Sequence, residues 1–236
     1  MADESAQASL SEAEQAAYLR AAADVRQAVL RQLGAQPTRT AAVAFVAHLQ
    51  AGVDQVMARA EKAGTGFACK AGCAHCCHVR VHALEPEVFR IVQSVKSLPD
   101  AMLAALTERL RLHARAAQGL TLQNHRLPCP FLEDNRCSIY ALRPAVCRKA
   151  HSLDVAKCAT PGATIPQDLA TLMKAEAMIQ GTVEAYGALA LPVAGQELGQ
   201  AVLAALLDPD IEVRWHAPQV DSTARANAAH GNEGAQ

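Results

Sequence analysis

The stretch Cys69-Lys-Ala-Gly-Cys73-Ala-His-Cys76-Cys77 places four cysteines within nine residues of a 236-residue chain. The adjacent Cys76 and Cys77 make a poor disulfide, because neighbouring residues cannot easily reach the required sulfur dihedral. They can instead point to two different ions, or one can ligate while the other bridges. The Cys-x-x-Cys spacing from Cys73 to Cys76 is typical of a turn that grips a metal ion. We therefore interpret this stretch as a metal-binding loop.

A second group of four cysteines follows this loop after a long gap, and they are Cys129, Cys137, Cys147 and Cys158. The chain opens without the basic and apolar segments of a secretory signal, and no window approaches the about 18 apolar residues that span a bilayer. We therefore expect a cytoplasmic protein without membrane contact. Clustered cysteines in a reducing compartment are metal ligands or redox groups rather than disulfides. The alternative is that the cysteines are buried in the core as small apolar side chains, but this does not explain four cysteines on one glycine-containing loop.

All eight cysteines are therefore predicted metal ligands, with iron or an iron–sulfur cluster as cofactor and zinc as the alternative. Eight thiolates suit two tetrahedral zinc sites, or one four-cysteine cluster with further ligands to spare. The spacing leaves open whether the two cysteine groups share one site or form two.

The composition favours a mostly α fold. Aromatic residues make up only 3% of the chain, whereas strands depend on aromatic and β-branched residues. A net charge of −1 argues against a general nucleic-acid or membrane-surface role. Within residues 69–158, basic residues outnumber acidic ones. This excess either attracts an anion or offsets the negative charge of metal-bound thiolates, and its interleaving with the cysteines favours the second interpretation.

We predict helical hairpins that flank an irregular, cysteine-rich centre. The predicted units are an N-terminal helical hairpin (1–66), a cysteine-cluster domain with an inserted helical hairpin (67–160), C-terminal helices (161–215) and a disordered tail (216–236). The first hairpin starts at the capping box Ser11-x-x-Glu14, breaks at Gly34, restarts at Thr38 or Thr40 and ends near Gly64.

The gap between the cysteine groups contains the inserted hairpin. Its helices start at Glu85-Pro86 and Pro99-Asp100, and its two ends are expected to lie close together, which brings Cys129 beside Cys77. After Cys129, the polar run Glu133-Asp-Asn-Arg136 predicts the turn of a short β-hairpin. A helical turn at Pro144, a long amphipathic helix from Leu169 and a shorter helix at 198–207 follow.

Several residues beside the cysteines have the chemistry to support a metal site. Phe67, Phe131 and Tyr140 suggest an apolar shell. Three arginines are expected to offset charge or donate hydrogen bonds to sulfur: Arg136, Arg143 and Arg148. Four histidines lie near the cysteines in the sequence: His75, His78, His82 and His151. We interpret them as residues beside the metal site rather than as metal ligands.

The Cys69-x3-Cys73-x2-Cys76 spacing is also that of radical S-adenosylmethionine enzymes. Such a loop follows the first strand of a β/α barrel, however, and this sequence does not alternate strands with helices. The centre instead resembles the bacterial cysteine-cluster proteins of the YkgJ type, described as a zinc- or iron-chelating domain. The resemblance covers roughly residues 66–160, and its remaining motifs are Cys129-Pro-Phe-Leu132, Cys137-Ser-Ile-Tyr140 and Arg143-Pro-Ala-Val-Cys147-Arg148.

The resemblance implies a metal-binding protein, and no motif of a hydrolase or kinase stands beside it. Some flagellin lysine methylases carry a similar cysteine region, so the first alternative is an iron–sulfur-dependent enzyme that modifies a protein side chain. The second is a redox- or metal-responsive protein that docks a partner through its helical flanks. Binding without catalysis is the leading interpretation.

Overall fold

The computed structural model describes residues 10–122, 124–160, 162–191 and 193–216. The fold is mostly helical, as predicted, and its helices are α1 (Glu12–Leu33), α2 (Arg39–Lys62), α3 (Glu85–Val95), α4 (Asp100–Ala116), α5 (Ala145–Lys149), α6 (Val155–Ala159), α7 (Leu169–Ala188), α8 (Leu198–Leu207) and α9 (Ile211–His216). The short strands in these ranges form two antiparallel pairs, β1 (His82–Ala83) with β4 (Gln196–Glu197) and β2 (Leu132–Glu133) with β3 (Arg136–Cys137). From residue 217 onward, the predicted tail lies outside the described residues.

The predicted helix start signals of the N-terminal segment are confirmed. The Ser11 hydroxyl accepts a hydrogen bond from the Glu14 backbone N–H, and the Glu14 carboxylate accepts one from the Ser11 N–H at 2.9 Å. Gly34 ends α1 with a φ of 74°, a left-handed value that glycine adopts without strain. Thr38, rather than Thr40, caps α2, because its hydroxyl accepts from the Ala41 N–H at 3.1 Å.

Helix α7 is the main packing partner of α1 and also packs against α2. The α1–α7 approach is close at Gly181, where an added Cβ would lie 2.7 Å from the Val25 Cβ. Farther along α7, the buried Tyr186 hydroxyl donates a hydrogen bond to the Ala42 carbonyl of α2. The N-terminal helices therefore lie against the C-terminal part of the chain more than against each other.

Helix α8 packs against both α3 and α4, the helices inserted between the two cysteine groups. The β1–β4 pair continues this contact, since the Leu198 N–H donates to the Val81 carbonyl at 2.9 Å. Helix α9 lies almost wholly within the predicted range of C-terminal helices (161–215), although no helix after residue 207 was named there. Its Trp215 packs edge-on against Phe89 of α3, with ring centroids 5.3 Å apart.

A smaller apolar core joins α2, α5 and α7, and its buried members are Val46, Leu49, Val53, Ala145, Ala175 and Ile179. Among the described helices, α2 is long and apolar enough, by length and composition alone, to cross a membrane. Here Val46 and Val53 of α2 are fully buried against protein. This core holds the short helix that carries Cys147.

Candidate metal centre

The first cysteine group lies on a loop that ends in a 3-10 helix, His75–His78. Successive residues of a 3-10 helix point about 120° apart around its axis. The adjacent Cys76 and Cys77 leave the helix at different angles but remain close at their sulfurs, since the Cys77 thiol donates a hydrogen bond to Cys76. Cys76 is exposed and Cys77 is half-buried.

The two cysteine groups meet where the chain returns from the inserted helices. The Cys129 N–H donates a hydrogen bond to the Cys77 carbonyl at 2.7 Å, across the whole insertion. This contact confirms the prediction that the two ends of the gap lie close together.

The predicted β-hairpin holds the next two cysteines. Leu132 pairs with Cys137, and Asp134 and Asn135 turn the chain with φ values of 47° and 58°, as in a tight hairpin turn. The Cys129 sulfur accepts a hydrogen bond from the N–H two residues later, at Phe131. Cys137 repeats this arrangement with the N–H of Ile139. Such N–H groups stabilise a thiolate over a thiol and fix the direction of the sulfur.

Helix α5 carries Cys147 and is anchored by a buried carboxylate that sequence reasoning missed. Glu87, 1% exposed, accepts hydrogen bonds from the Ala145 N–H at 2.7 Å, the Leu84 N–H at 3.1 Å and the Gln50 amide at 3.3 Å. It therefore caps the starts of both α3 and α5. Its position near the start of α3 permits the first cap, but Leu84 is not a capping residue and nothing local indicates the second cap.

The arginines beside Cys147 bind oxygen atoms rather than the sulfurs predicted for them. Arg148, 8% exposed, donates to the Asp54 carboxylate and to the carbonyls of Ala141 (2.6 Å) and Arg143 (2.8 Å). The Arg143 guanidinium stacks on the Tyr140 ring at 4.2 Å and pairs with Asp54 at 3.6 Å. The positive charge of the nearby Arg143 nevertheless favours the thiolate forms of Cys76 and Cys137. For Cys137, burial outweighs this effect and raises the pKa overall.

The last cysteine, Cys158, lies on α6, which contacts the 3-10 helix of the first group. The segment before α6 reaches the start of the loop, since the Ala68 N–H donates to the Ser152 carbonyl at 2.8 Å. The Ser152 N–H in turn donates to the Cys69 sulfur. These contacts place the first and last cysteines of the chain in one neighbourhood.

Both ring nitrogens of the neighbouring His151 contact backbone groups. Its Nδ1 contacts the Lys149 carbonyl at 2.9 Å, and its Nε2 accepts from the Asp168 N–H at 2.9 Å. Its ring stacks on Phe67, with centroids 4.8 Å apart. Phe131 is fully buried, whereas Tyr140 is 61% exposed, so the predicted apolar shell covers only the inner side of the centre.

The thiols differ in how readily they ionise. A hydrogen bond from the Cys77 thiol lowers the pKa of Cys76 to about 6, and the same bond raises that of Cys77. Burial raises the pKa of Cys129 to about 11 and also raises that of Cys147. Metal binding must therefore displace protons from the buried thiols.

Within the described ranges, no three His, Cys, Asp or Glu side chains are positioned to hold a metal ion. The thiols lie near one another, but their sulfur atoms are not arranged in the geometry of a metal coordination sphere. Their chemistry fits zinc and iron, which both take cysteine thiolates, and the backbone N–H···S hydrogen bonds match what bound thiolates require.

A second feature missed by sequence reasoning adjoins Cys129. His113, His125 and Glu197 line one small cavity with it, of about 10 Å³. The His113 Nε2 lies 3.3 Å from the Glu197 carboxylate, and the two histidine rings are 5.7 Å apart. Burial opposes ionisation of Glu197, but hydrogen bonds from His113 and two backbone N–H groups outweigh it and lower its pKa.

Residues 68–176, just under half of the chain, match the family model described as "CxxCxxCC: Putative zinc- or iron-chelating domain". The match confirms the resemblance predicted from the cysteine motifs and supports metal binding in general. The chain departs from the model's name by one extra residue between Cys69 and Cys73. Comparisons with curated proteins and with solved structures give no match.

Proposed function

We propose that this chain, whose residues 68–176 match the zinc- or iron-chelating family, binds iron or zinc through its eight cysteines in the cytoplasm and catalyses no reaction. The observation that carries the proposal is the hydrogen bond from the Cys129 N–H to the Cys77 carbonyl, which joins two cysteine groups far apart in sequence. A metal ion would supply a cross-link among the thiolates. The chain's own N–H groups at Phe131, Ile139 and Ser152 orient the sulfurs that receive it.

Iron–sulfur ligation is the preferred form, with zinc as the alternative. Adjacent thiolates beside the buried Phe131 suit a polynuclear site that is shielded on one side from water. The test is purification of the full chain without oxygen or chelators, followed by elemental analysis and visible absorption. We expect stoichiometric metal in the purified protein. The solution should be brown if the metal is an iron–sulfur cluster and colourless if it is zinc. Less than about a tenth of an ion per chain would refute metal binding.

The enzymatic alternative makes a different prediction. A catalytic cluster needs an open coordination position and room for a second substrate, whereas a binding site has its positions filled by protein. We expect that S-adenosylmethionine added to the reduced, metal-loaded chain neither changes its absorption spectrum nor is consumed. A saturable spectral change that disappears in Cys73→Ser would favour the modifying enzyme instead.

A further inference from the structure

We propose that the eight cysteines form two metal sites of four thiolates each, and that the boundary runs between the adjacent Cys76 and Cys77. The inner site consists of Cys77, Cys129, Cys137 and Cys147. The outer site consists of Cys69, Cys73, Cys76 and Cys158. This division rests on the proposed metal-binding function and goes beyond it, because it assigns each ligand and gives the two sites different roles.

The inner site follows from the hydrogen bonds that join its segments. The Cys129 N–H binds the Cys77 carbonyl at 2.7 Å, and the β2–β3 hairpin connects Cys129 to Cys137. Cys147 is brought in on α5, whose first N–H is held by Glu87 at 2.7 Å. The thiols are near enough to affect one another, since Cys129 and Cys137 both contribute to the raised pKa of Cys77 and of Cys147.

The outer site follows from contacts at the other end of the loop. The Ser152 N–H donates to the Cys69 sulfur, and α6, which carries Cys158, contacts the 3-10 helix His75–His78. The thiols that add to the raised pKa of Cys69 are Cys73, Cys76 and Cys158. All four outer cysteines therefore share one neighbourhood.

Cys76 is the residue at which the two sites meet, because the Cys77 thiol donates a hydrogen bond to its sulfur and its charge reaches the inner thiols Cys129, Cys137 and Cys147. Two observations assign it to the outer site. The inner site already has four thiolates, which is the number that zinc and four-cysteine clusters take. The 3-10 helix that carries Cys76 also contacts α6, which carries the outer Cys158.

The two sites differ in their access to water. The outer site contains both exposed cysteines of the eight, Cys69 and Cys76. The inner site lies against Phe131 and Ala145, which are 0% and 1% exposed. Solvent access controls how easily a competing ligand attacks a metal site. The outer site is therefore the exchangeable one, and the inner site is structural.

The division is tested with the full chain, stripped of metal and loaded with Zn²⁺ alone. The unmodified protein should hold about two zinc ions and release them to a chelator in a fast and a slow phase. Cys69→Ser and Cys158→Ser should each lose one ion and the fast phase. The double variant should lose no more than either single variant. Cys69→Ser combined with Cys147→Ser should lose both ions.

Because inner-site variants can fail to fold, the decisive measurement uses the unmodified chain. During partial zinc removal, pulse alkylation read by mass spectrometry should label the four outer cysteines before the four inner ones. Simultaneous labelling of all eight would indicate one shared site and overturn the division, as would early labelling of Cys77 with Cys69. A protein that takes up no zinc or iron at all would instead refute the proposed function itself.

Discussion

Glu87 shows how one side chain can set the position of a distant cysteine that we propose as a metal ligand. Its carboxylate is 1% exposed and caps two helices, one of them through the Ala145 N–H, 58 residues further along the chain. Burial raises the pKa of Glu87 above its usual value of 4.5, against the opposing effect of its hydrogen-bond donors. Glu87 thus fixes α5, and with it Cys147, although burial disfavours the charged form of its carboxyl group.

We expect Glu87→Gln to lower the free energy of unfolding by about 1–3 kcal/mol, because an amide has one acceptor oxygen and turns an NH₂ group towards a backbone donor. The loss should be largest at low pH. A folded-state pKa above the unfolded value means that the Glu87 contribution is fully present below pH 4.5 and declines as pH rises through the raised pKa. The amide side chain of the variant does not titrate, so the difference in stability between the two proteins should shrink over that range.

Urea unfolding of both proteins at a series of pH values, with the same metal content, measures this difference. A gap that widens as pH rises would mean that folding favours the charged form of Glu87. Glu85→Gln is the matched control, since Glu85 lies at the start of the same helix but binds the Ala194 N–H and the Gln196 amide, away from α5. The control should leave zinc or iron uptake at Cys147 unchanged.

At the scale of the helices, the contact between α1 and α7 depends on one small residue. Gly181 leaves no space for a side chain, because an added Cβ would lie 2.7 Å from the Val25 Cβ and would also meet the Ala22 carbonyl. Gly187 lies on the same helix, and an added Cβ there would meet nothing within 4 Å. The two glycines therefore make a matched pair.

We expect Gly181→Ala to destabilise the protein by about 1–3 kcal/mol, because the helices must separate or shift to admit the methyl group. Gly187→Ala should be neutral or stabilise by up to about 1 kcal/mol, because alanine loses less backbone entropy in a helix. Thermal unfolding followed by far-UV circular dichroism distinguishes them. Equal effects of the two substitutions would show that α1 does not pack at Gly181 as described.

The sequence predicted the positions of the helices better than it predicted which helices pack together, and the reason is physical. Capping residues such as Ser11 and Thr38 act within a few residues, so their effect is visible locally. An apolar stripe predicts that one face of a helix is buried, but it does not predict which other helix covers that face. Helices α1 and α2 both pack against α7, and the close approach at Gly181 is part of what sets the α1–α7 contact.

The same limit applies to the candidate metal site. The Cys-x-x-Cys turn and the Asp134-Asn135 hairpin turn are local, and both the hairpin and the return of Cys129 to Cys77 were predictable from them and from the inserted helices. The roles of Glu87 and His125 depend on contacts between segments far apart in sequence. No periodic or spaced signal marks such a residue in a single sequence.

At the scale of the whole molecule, the centre and the helices that surround it differ in what stabilises them. Helices α1, α2 and α7 are long and share buried apolar contacts, such as Val46 with its neighbours on α7. The centre has two-residue strands and five-residue helices, which are too short to be stable alone. Its order therefore depends on the anchors that surround it and on the metal that we propose.

We expect metal removal to loosen the centre while the helical part stays folded. Structural metal sites can contribute about 10–16 kcal/mol to the folding of small metal-stapled units. A chelator should therefore speed tryptic cleavage after three exposed basic residues of the centre, Lys70, Arg136 and Lys157. Trp215, the single tryptophan, is 8% exposed and packs on Phe89, so its fluorescence reports on the contact between α9 and α3.

The emission maximum of Trp215 should stay constant while cleavage in the centre accelerates, and re-addition of the metal should restore protection. Arg20, exposed on α1, gives the internal control, because cleavage there should not change. If the Trp215 emission shifts in step with cleavage at Lys70, the two parts unfold as one unit. The β1–β4 pair and the packing of α8 on α3 and α4 would then transmit loss of the metal to the helices.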